Sequence, residues 1–265
     1  MDRSLFALLL GVLLSAVNES SLAPALPLLA RTFAVGPEAA QGVVSMGLLG
    51  AALAHLLATG LSGKLGAGRL FRWGVFLHAL LALGLALALG IFWLLLLRFL
   101  QGIAAAMVVG LVPGLAVTAM PKAGGYALGM VASTVAAGTL LGPALGGFAA
   151  GLGLPYVFLL PLPLALLALL LSKNLPELPP QESSLRRLLE ASGFMKALLA
   201  TSLYFLHTLG TTVALAFRLG TEGISPRGIG GLLLLSPVQL LLLGAWAGRV
   251  SDRLGYRRVA LLGTY

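Results

Sequence analysis

The sequence predicts an all-α polytopic membrane protein. Of its 265 residues, 59% are hydrophobic and 9% are charged, and the mean hydropathy is +1.02, whereas about a quarter of the residues in a soluble domain are charged. Long apolar stretches recur along the chain, and about 20 apolar residues are enough for a helix to cross a bilayer. The chain contains no cysteine, which excludes disulfide bonds and cysteine-based metal or nucleophilic sites.

The apolar stretches predict eight helices and the first turns of a ninth. Residues 173–195 are polar, with three prolines and mixed charges, and they separate six helices from the rest. We therefore expect a six-helix bundle at residues 1–172, a cytoplasmic inter-bundle loop at 173–195 and an incomplete second bundle at 196–265. The predicted helices span residues 5–30, 39–62, 70–90, 91–119, 124–150, 154–172, 196–218 and 229–247, and the ninth begins after residue 258.

The positive residues predict the orientation of the chain in its membrane. With a cytoplasmic N-terminus, 13 of the 17 Lys and Arg residues fall in or beside cytoplasmic loops, and such loops are enriched in positive charge. The opposite orientation would reverse this bias. The net charge of +9 is thereby explained by topology, so nucleic acid is not an expected partner, whereas the lipid bilayer is.

The predicted fifth helix contains a pattern of glycines. Gly138, Gly142 and Gly146 recur at every fourth residue, which places them near one face where another helix can approach closely. A bend is expected at Pro143, which has no N–H to donate to the preceding turn. Gly129 lies on roughly the opposite face, so a helix-packing seam alone does not explain the pattern. The full set is Gly129, Gly138, Gly142, Pro143, Gly146 and Gly147.

A loop motif occurs twice, once in each predicted half. Residues 62–69, SGKLGAGR, align with residues 251–258, SDRLGYRR, and each copy follows an even-numbered helix of its half. In the second copy, Asp252 can accept hydrogen bonds at the N-terminus of a neighbouring helix; the alternative is a generic positively charged loop. The residues of the motif are Lys64, Gly66 and Arg69 in the first copy and Gly248, Asp252, Arg253, Gly255, Arg257 and Arg258 in the second.

With these motifs the chain resembles a drug/proton antiporter of the major facilitator superfamily. The glycine pattern matches the fixed positions of the family's fifth-helix antiporter motif, and Arg98, Gln101 and Gly102 match its fourth-helix motif. The loop at 248–258 matches its signature loop. The resemblance implies the major facilitator fold, with helices 7, 8 and the start of 9 forming the incomplete second bundle, in a bacterial inner membrane.

The resemblance also implies a function. We expect proton-coupled export of small lipophilic or amphipathic compounds, in which two bundles rock around a central site. The partners are then protons and a small-molecule substrate, with no cofactor. In the family the loop motif holds one conformation. The first copy departs from it, because Gly63 stands where the family has Asp, so we expect a weaker hold on the outward-facing state.

Glu19 is the candidate site of proton coupling. It is the only acidic residue in the interior of a predicted helix, it follows Asn18, and Arg98 lies at a similar depth. An arginine does not lose its proton, so Arg98 is suited to tuning the acidity of Glu19 rather than to carrying protons. The alternatives are that Glu19 pairs locally at a broken helix and that Arg98 extends to the outer membrane interface.

The predicted seventh helix has a polar stripe that includes His207. This histidine either lines the cavity or is satisfied by a neighbouring helix. His55 and His78 have no carboxylate or second histidine at ligand spacing, so we interpret both as structural and expect no metal site.

Other functions remain as alternatives. The sequence has no Walker loop and neither a G-x-S-x-G nor an H-E-x-x-H motif, so an enzyme is not expected. An uptake permease on the same fold is one alternative, although the fifth-helix motif argues against it. A truncated, non-transporting membrane protein is another, because the family has twelve or more helices. In that case a missing C-terminal portion or a partner chain would complete the second bundle.

Overall fold

The computed structural model describes residues 3–178 and 194–235, and all regular secondary structure in these ranges is helical. Short 3-10 turns lie at Ala23–Ala25, Pro121–Ala123 and Ser172–Asn174. The α-helices are α1 (Arg3–Ser20), α2 (Leu26–Thr32), α3 (Pro37–Leu65), α4 (Ala67–Ala86), α5 (Ile91–Val109), α6 (Val112–Ala119), α7 (Gly124–Leu152), α8 (Leu154–Leu159), α9 (Leu162–Leu171), α10 (Phe194–Thr221) and α11 (Pro226–Leu233).

These helices form the predicted polytopic architecture. The pairs α1–α2, α5–α6 and α8–α9 continue one another, and within the described ranges five helical segments are long and apolar enough to cross a membrane. α3 and α10, with 29 and 28 residues, are each about 40 Å long at 1.5 Å per residue. The six segments of the first half begin and end within four residues of their predicted positions. The all-α fold class is confirmed.

The second half is described only in part. α10 agrees with the predicted seventh helix, and α11 begins three residues before the predicted eighth. The remainder of the eighth helix, the ninth helix and the loop at 248–258 lie outside the described residues, so the predictions for Gly248, Asp252, Arg253, Gly255, Arg257 and Arg258 are not addressed by the structure.

The helices run between two ends of the bundle. We call the end that carries Arg3, Lys64, Arg69, Lys122 and Lys173 the basic end, and the end that carries the turns at 33–36, 87–90 and 222–225 the opposite end. Gly66 at the basic end and Gly223 at the opposite end have φ of 86° and 83°. In this left-handed region a glycine avoids the steric cost of a side chain.

A layer of polar residues separates two apolar cores. The core towards the basic end contains the first turns of α1 and α4, together with parts of α6 and α9. The core towards the opposite end contains α2, the first turns of α3 and α5, and α8. Between the cores lies a set that we call the polar layer: Asn18, Glu19, His78, Arg98 and Gln101.

The two halves of the chain meet near the opposite end. A Cβ atom on Gly230 of α11 would lie 3.0 Å from the Cα of Gly147 on α7, and the Arg31 Nη2 donates a hydrogen bond to the Gly220 carbonyl oxygen at 3.1 Å. Arg227 stacks on the ring of Phe148, with its guanidinium carbon 5.2 Å from the ring centroid. These contacts join α2 and α7 to α10 and α11.

Candidate functional site

The Arg98 side chain lies at the centre of the polar layer and is buried. Its Nε donates a hydrogen bond to the Val43 carbonyl oxygen on α3 at 3.2 Å, and its Nη1 donates to the Gln101 Oε1 on its own helix. Its Nη2 donates to the Glu19 Oε1 on α1 at 3.3 Å. A charge buried among apolar helices is tolerated when it is paired and hydrogen-bonded. Arg98 therefore points into the bundle and does not extend to the membrane interface.

Glu19 lies at the edge of the same layer. Its side chain is 32% exposed, compared with 1% for that of Arg98. One carboxylate oxygen pairs with Arg98, and the other is buried without a hydrogen-bond partner. α1 ends one residue later, at Ser20. The ion pair thus links the C-terminal end of α1 to α5.

Glycines on α3 and α5 allow these two helices to pack closely and still accommodate the guanidinium of Arg98. A Cβ on Gly47 would lie 2.8 Å from the Arg98 Nη2, and a Cβ on Gly102 would overlap the carbonyl oxygen of Gly47. A Cβ on Gly50 would likewise overlap the carbonyl oxygen of Phe99. Sequence reasoning identified Gly102 and missed Gly47 and Gly50. A signal was available in the small residues Ala51 and Ala54, four positions after each of these glycines.

The glycines of α7 pack against two different helices. A Cβ on Gly138 would lie 2.5 Å from the Ala16 Cβ, and one on Gly142 would lie 2.8 Å from the Ser20 Cβ. A Cβ on Gly146 would likewise overlap the carbonyl oxygen of Ser21. The Ser20 Oγ donates hydrogen bonds to the carbonyl oxygens of Ala16 and Gly138, at 2.7 and 3.1 Å. This face of α7 therefore forms a seam with α1, next to Glu19.

The other glycines and the proline of α7 have different surroundings. Gly147 packs on α11, as described above. Gly129 has no atom within 4 Å of its ideal Cβ position. α7 continues through Pro143, whose carbonyl oxygen touches Gly230 of α11. The bend at this proline stays a prediction.

Gly129 lines an open pocket between α1 and the part of α7 near the basic end. The pocket has a volume of about 490 Å³, within the range of small-molecule sites. Most of its wall is apolar, with hydroxyl groups from three residues. The lining consists of Leu13, Tyr126, Gly129, Met130, Ser133, Thr134 and Ala137.

The structure does not bring His207 to the polar layer. In the described part of the chain, the hydrogen bonds between Arg98 and its side-chain and backbone acceptors join α5 to α1 and α3. The His207 side chain, on α10, is exposed. His78, which sequence reasoning treated as structural, does lie in this layer and is 0% exposed.

At the basic end, a carboxylate approaches the turn that contains Gly66. The backbone N–H of Gly68, in the first turn of α4, donates to the Glu177 Oε2 at 3.4 Å. A Cβ on Gly66 would lie 3.0 Å from the Glu177 Oε1 and 3.2 Å from the Arg69 Nε. Lys64 is exposed. An acid from beyond the sixth predicted helix thus lies at the loop in which Gly63 replaces the family's Asp, and sequence reasoning did not identify it.

Several known proteins resemble this chain in sequence. It is 32% identical over 156 residues to the multi-drug resistance efflux pump PmrA of Streptococcus pneumoniae, and the match covers 57% of this chain and 39% of PmrA. It is 27% identical over 176 residues to the riboflavin transporter RibZ of Clostridioides difficile, covering 65% of this chain and 39% of RibZ. The chain thus spans about two fifths of the length of the curated relatives that it matches.

Solved structures share the fold. A bacterial homolog of the human lysosomal transporter Spinster, inward-facing and occupied, has a TM-score of 0.73 at 20% identity, with 96% of this chain and 62% of that chain covered. A D-xylose-proton symporter has a TM-score of 0.69 at 18% identity, with 95% and 69% covered. The family model described as Major Facilitator Superfamily matches residues 8–265, and the chain therefore belongs to this superfamily of integral membrane transporters.

Proposed function

We propose that the protein exports small lipophilic or amphipathic compounds in exchange for protons, by alternating access. The observation that carries this proposal is the ion pair between Glu19 and Arg98. Among the described membrane-spanning segments, Glu19 is the acidic residue in the middle of a span, Arg3–Thr32, whereas Glu38 lies in the first turn of α3. Intramembrane carboxylates are costly and typically belong to ion or proton pathways.

The geometry supports a division of labour between the two side chains. Arg98 keeps its positive charge and is fixed by Val43 and Gln101, so Glu19 is the partner that exchanges a proton. When a carboxylate oxygen of Glu19 takes up a proton, the side chain loses its negative charge and the ion pair with Arg98 weakens. Glu19 immediately precedes Ser20 in the α1–α7 seam, so this change occurs next to a helix contact that can transmit it.

The arrangement of the halves supports one state of an alternating-access cycle. The halves touch near the opposite end, whereas Leu199 and Leu203 in the first turns of α10 are 61% and 57% exposed. If the basic end is cytoplasmic, as the positive-inside rule favours, this state opens towards the cytoplasm. We propose this orientation, in a bacterial inner membrane.

The pocket beside Gly129 supports the proposed substrate class. Its wall combines apolar side chains with the hydroxyls of Tyr126, Ser133 and Thr134, which suits a compound with a large apolar part and few polar groups. The similarity to PmrA, a multi-drug efflux pump by name, points in the same direction.

Transport of a riboflavin-like solute is a second candidate function. The similarity to RibZ, which covers 65% of this chain, favours it. A flavin is planar, aromatic and polar at its edges, so it differs from a lipophilic cation in the hydrogen bonds that it requires.

Transport by the native protein reconstituted in liposomes tests these proposals. We expect an imposed pH gradient to drive movement of ethidium and the variant Glu19→Gln to abolish this coupling, while Glu19→Asp retains part of it. Glu222→Gln is the matched control, because Glu222 is also ion-paired but lies on the surface, with Arg218. Proton-coupled ethidium transport by Glu19→Gln would refute the role of Glu19. Movement of riboflavin without ethidium would favour the second candidate.

A further inference from the structure

The polar layer contains buried atoms that have no hydrogen-bond partner. Across residues 3–178 and 194–235, every buried side-chain nitrogen or oxygen atom in this condition belongs to the layer. The atoms are Asn18 Nδ2, Glu19 Oε2, His78 Nδ1, His78 Nε2 and Gln101 Nε2. Leaving a buried polar atom without a hydrogen bond costs free energy, so five such atoms in one layer indicate a group that satisfies them.

The packing of three helices brings these side chains to the same level. A Cβ on Gly11 of α1 would lie 2.7 Å from the Phe71 Cζ on α4 and 2.9 Å from the Val108 Cγ1 on α5. Seven residues make nearly two turns of an α-helix and return to almost the same face. α1 and α4 run in the same direction and α5 runs against them. Two turns towards the opposite end, the corresponding residues are Asn18, His78 and Gln101.

The three side chains are almost completely enclosed. Asn18 is 4% exposed, Gln101 is 1% exposed and His78 is 0% exposed. In either protonation state an imidazole uses both ring nitrogens in hydrogen bonding, so His78 has a requirement that apolar neighbours do not meet.

We propose that Asn18, His78 and Gln101 form a binding site for water inside the first six-helix bundle, beside the Glu19–Arg98 pair. A buried water molecule makes about two to four hydrogen bonds and satisfies polar groups that lack protein partners. The amide nitrogens of Asn18 and Gln101 supply two donors. The free oxygen of Glu19 and an unprotonated nitrogen of His78 supply two acceptors, which completes the hydrogen bonding of one water molecule. The fifth atom, the protonated ring nitrogen of His78, requires a second water molecule as acceptor.

The site gives His78 a role beyond packing. Bound water connects its ring to the carboxylate of Glu19, and a water that donates to the Glu19 Oε2 stabilises the charged form of this carboxylate after Glu19 has released its proton. This last step rests on the proposed function, whereas the water site itself does not.

Nuclear magnetic resonance of the isotopically labelled protein in lipid bilayers tests the water site without measuring transport. The chain has three histidines, so His78→Gln assigns the imidazole signal of His78. We expect magnetisation to pass from water protons to the His78 ring nitrogens, even though the ring is buried. A His78 signal that receives none, while the backbone amide of the exposed turn residue Gly223 does, would overturn the proposal.

Matched variants of α1 test which groups hold the water. Asn18→Leu removes one donor of the site, and we expect it to abolish or strongly reduce the transfer to His78. Ser15→Ala is the control, because Ser15 is also buried on α1 but donates its hydrogen bond to the Gly11 carbonyl oxygen of its own helix. Transfer that is unchanged in Asn18→Leu, or equally reduced in Ser15→Ala, would overturn the assignment. Absence of water transfer would leave the transport test of Glu19 unaffected. Likewise, failure of the transport test would leave the water site unaffected.

Discussion

Arg98 determines how the polar layer is held together. Its guanidinium donates to acceptors on three helices, and two of these acceptors, the Val43 carbonyl and the Gln101 amide, are neutral. The planar, multi-donor shape of arginine suits such an arrangement, whereas a lysine ammonium is a compact charge with different geometry. Replacing Arg98 by Lys therefore preserves the positive charge but not the directions of the three hydrogen bonds.

Substitution of Arg98 by Met is expected to lower the free energy of unfolding by about 3 kcal/mol. Removing one partner of a buried ion pair costs about 3–5 kcal/mol, and the partial exposure of Glu19 favours the lower end of this range. The double variant Arg98→Met, Glu19→Gln should lose less than the sum of the single variants, since it leaves no unpaired charge. Denaturant unfolding in detergent measures these values, and strictly additive losses would contradict the prediction.

Sequence reasoning selected Glu19 and Arg98 by depth, and the structure places them in contact. It also selected Asn18 and Gln101, which lie in the same layer, but it did not select Gly47 or His78. The reason is physical: lipid tails and a membrane-protein core are both apolar, so hydropathy does not indicate which face of α3 or α4 turns inward. A single histidine in an apolar helix becomes informative only when its neighbours on other helices are known.

At the scale of helices, the spans were predictable because each needs a length of apolar residues fixed by the bilayer. The apolar pattern does not predict the helix breaks within the spans, which follow α1, α5 and α8. Pro24, Pro113 and Pro161 lie at these breaks, where a missing N–H interrupts the helical hydrogen bonds. The sequence alone did not predict that α7 lies between α1 and α11, because the small residues of α7 occupy more than one face. Tertiary contacts were needed to show which helix each face meets.

The α1–α7 seam predicts different effects for two glycines of α7. Gly142→Ala is expected to lower the free energy of unfolding by about 1–3 kcal/mol, as overpacking does, because the new Cβ would overlap the Ser20 Oγ. Gly129→Ala is the matched control: its Cβ meets no atom within 4 Å, so alanine's helix propensity should stabilise the helix by up to about 1 kcal/mol. Thermal unfolding in detergent compares them, and equal effects would contradict the seam.

At the scale of the whole molecule, the two apolar cores and the polar layer between them have a consequence for movement. The contacts between the halves lie in the core region of the opposite end, and the polar layer lies farther towards the middle of the bundle. A change of charge at Glu19 therefore occurs one residue from Ser20, which packs on Gly142 of α7. The next residue of α7, Pro143, contacts Gly230 of α11, so the α1–α7 seam connects the ion pair to the contact between the halves.

The proposed alternating access predicts reciprocal distance changes at the two ends. The chain has no native cysteine, so spin labels can be attached to cysteine pairs introduced at exposed sites. Leu152 and Glu222 report on the opposite end, and Tyr126 and Leu199 report on the basic end. Distances between labels are measured by pulsed electron resonance in bilayers. We expect the pair at the opposite end to separate as the pair at the basic end approaches, when substrate is added or the pH is changed.

Gly147→Ala tests the same equilibrium from within the protein. A Cβ at this position would overlap the Pro226 carbonyl oxygen and press on Gly230, so it disfavours the state in which the halves touch at the opposite end. We expect this variant to shift both label distances without substrate, in the direction expected for substrate. Gly231→Ala on α11 is the matched control, because its Cβ meets no atom within 4 Å. If Gly147→Ala leaves both distances unchanged, or moves both ends apart together, the contact between α7 and α11 does not control the equilibrium between the two states.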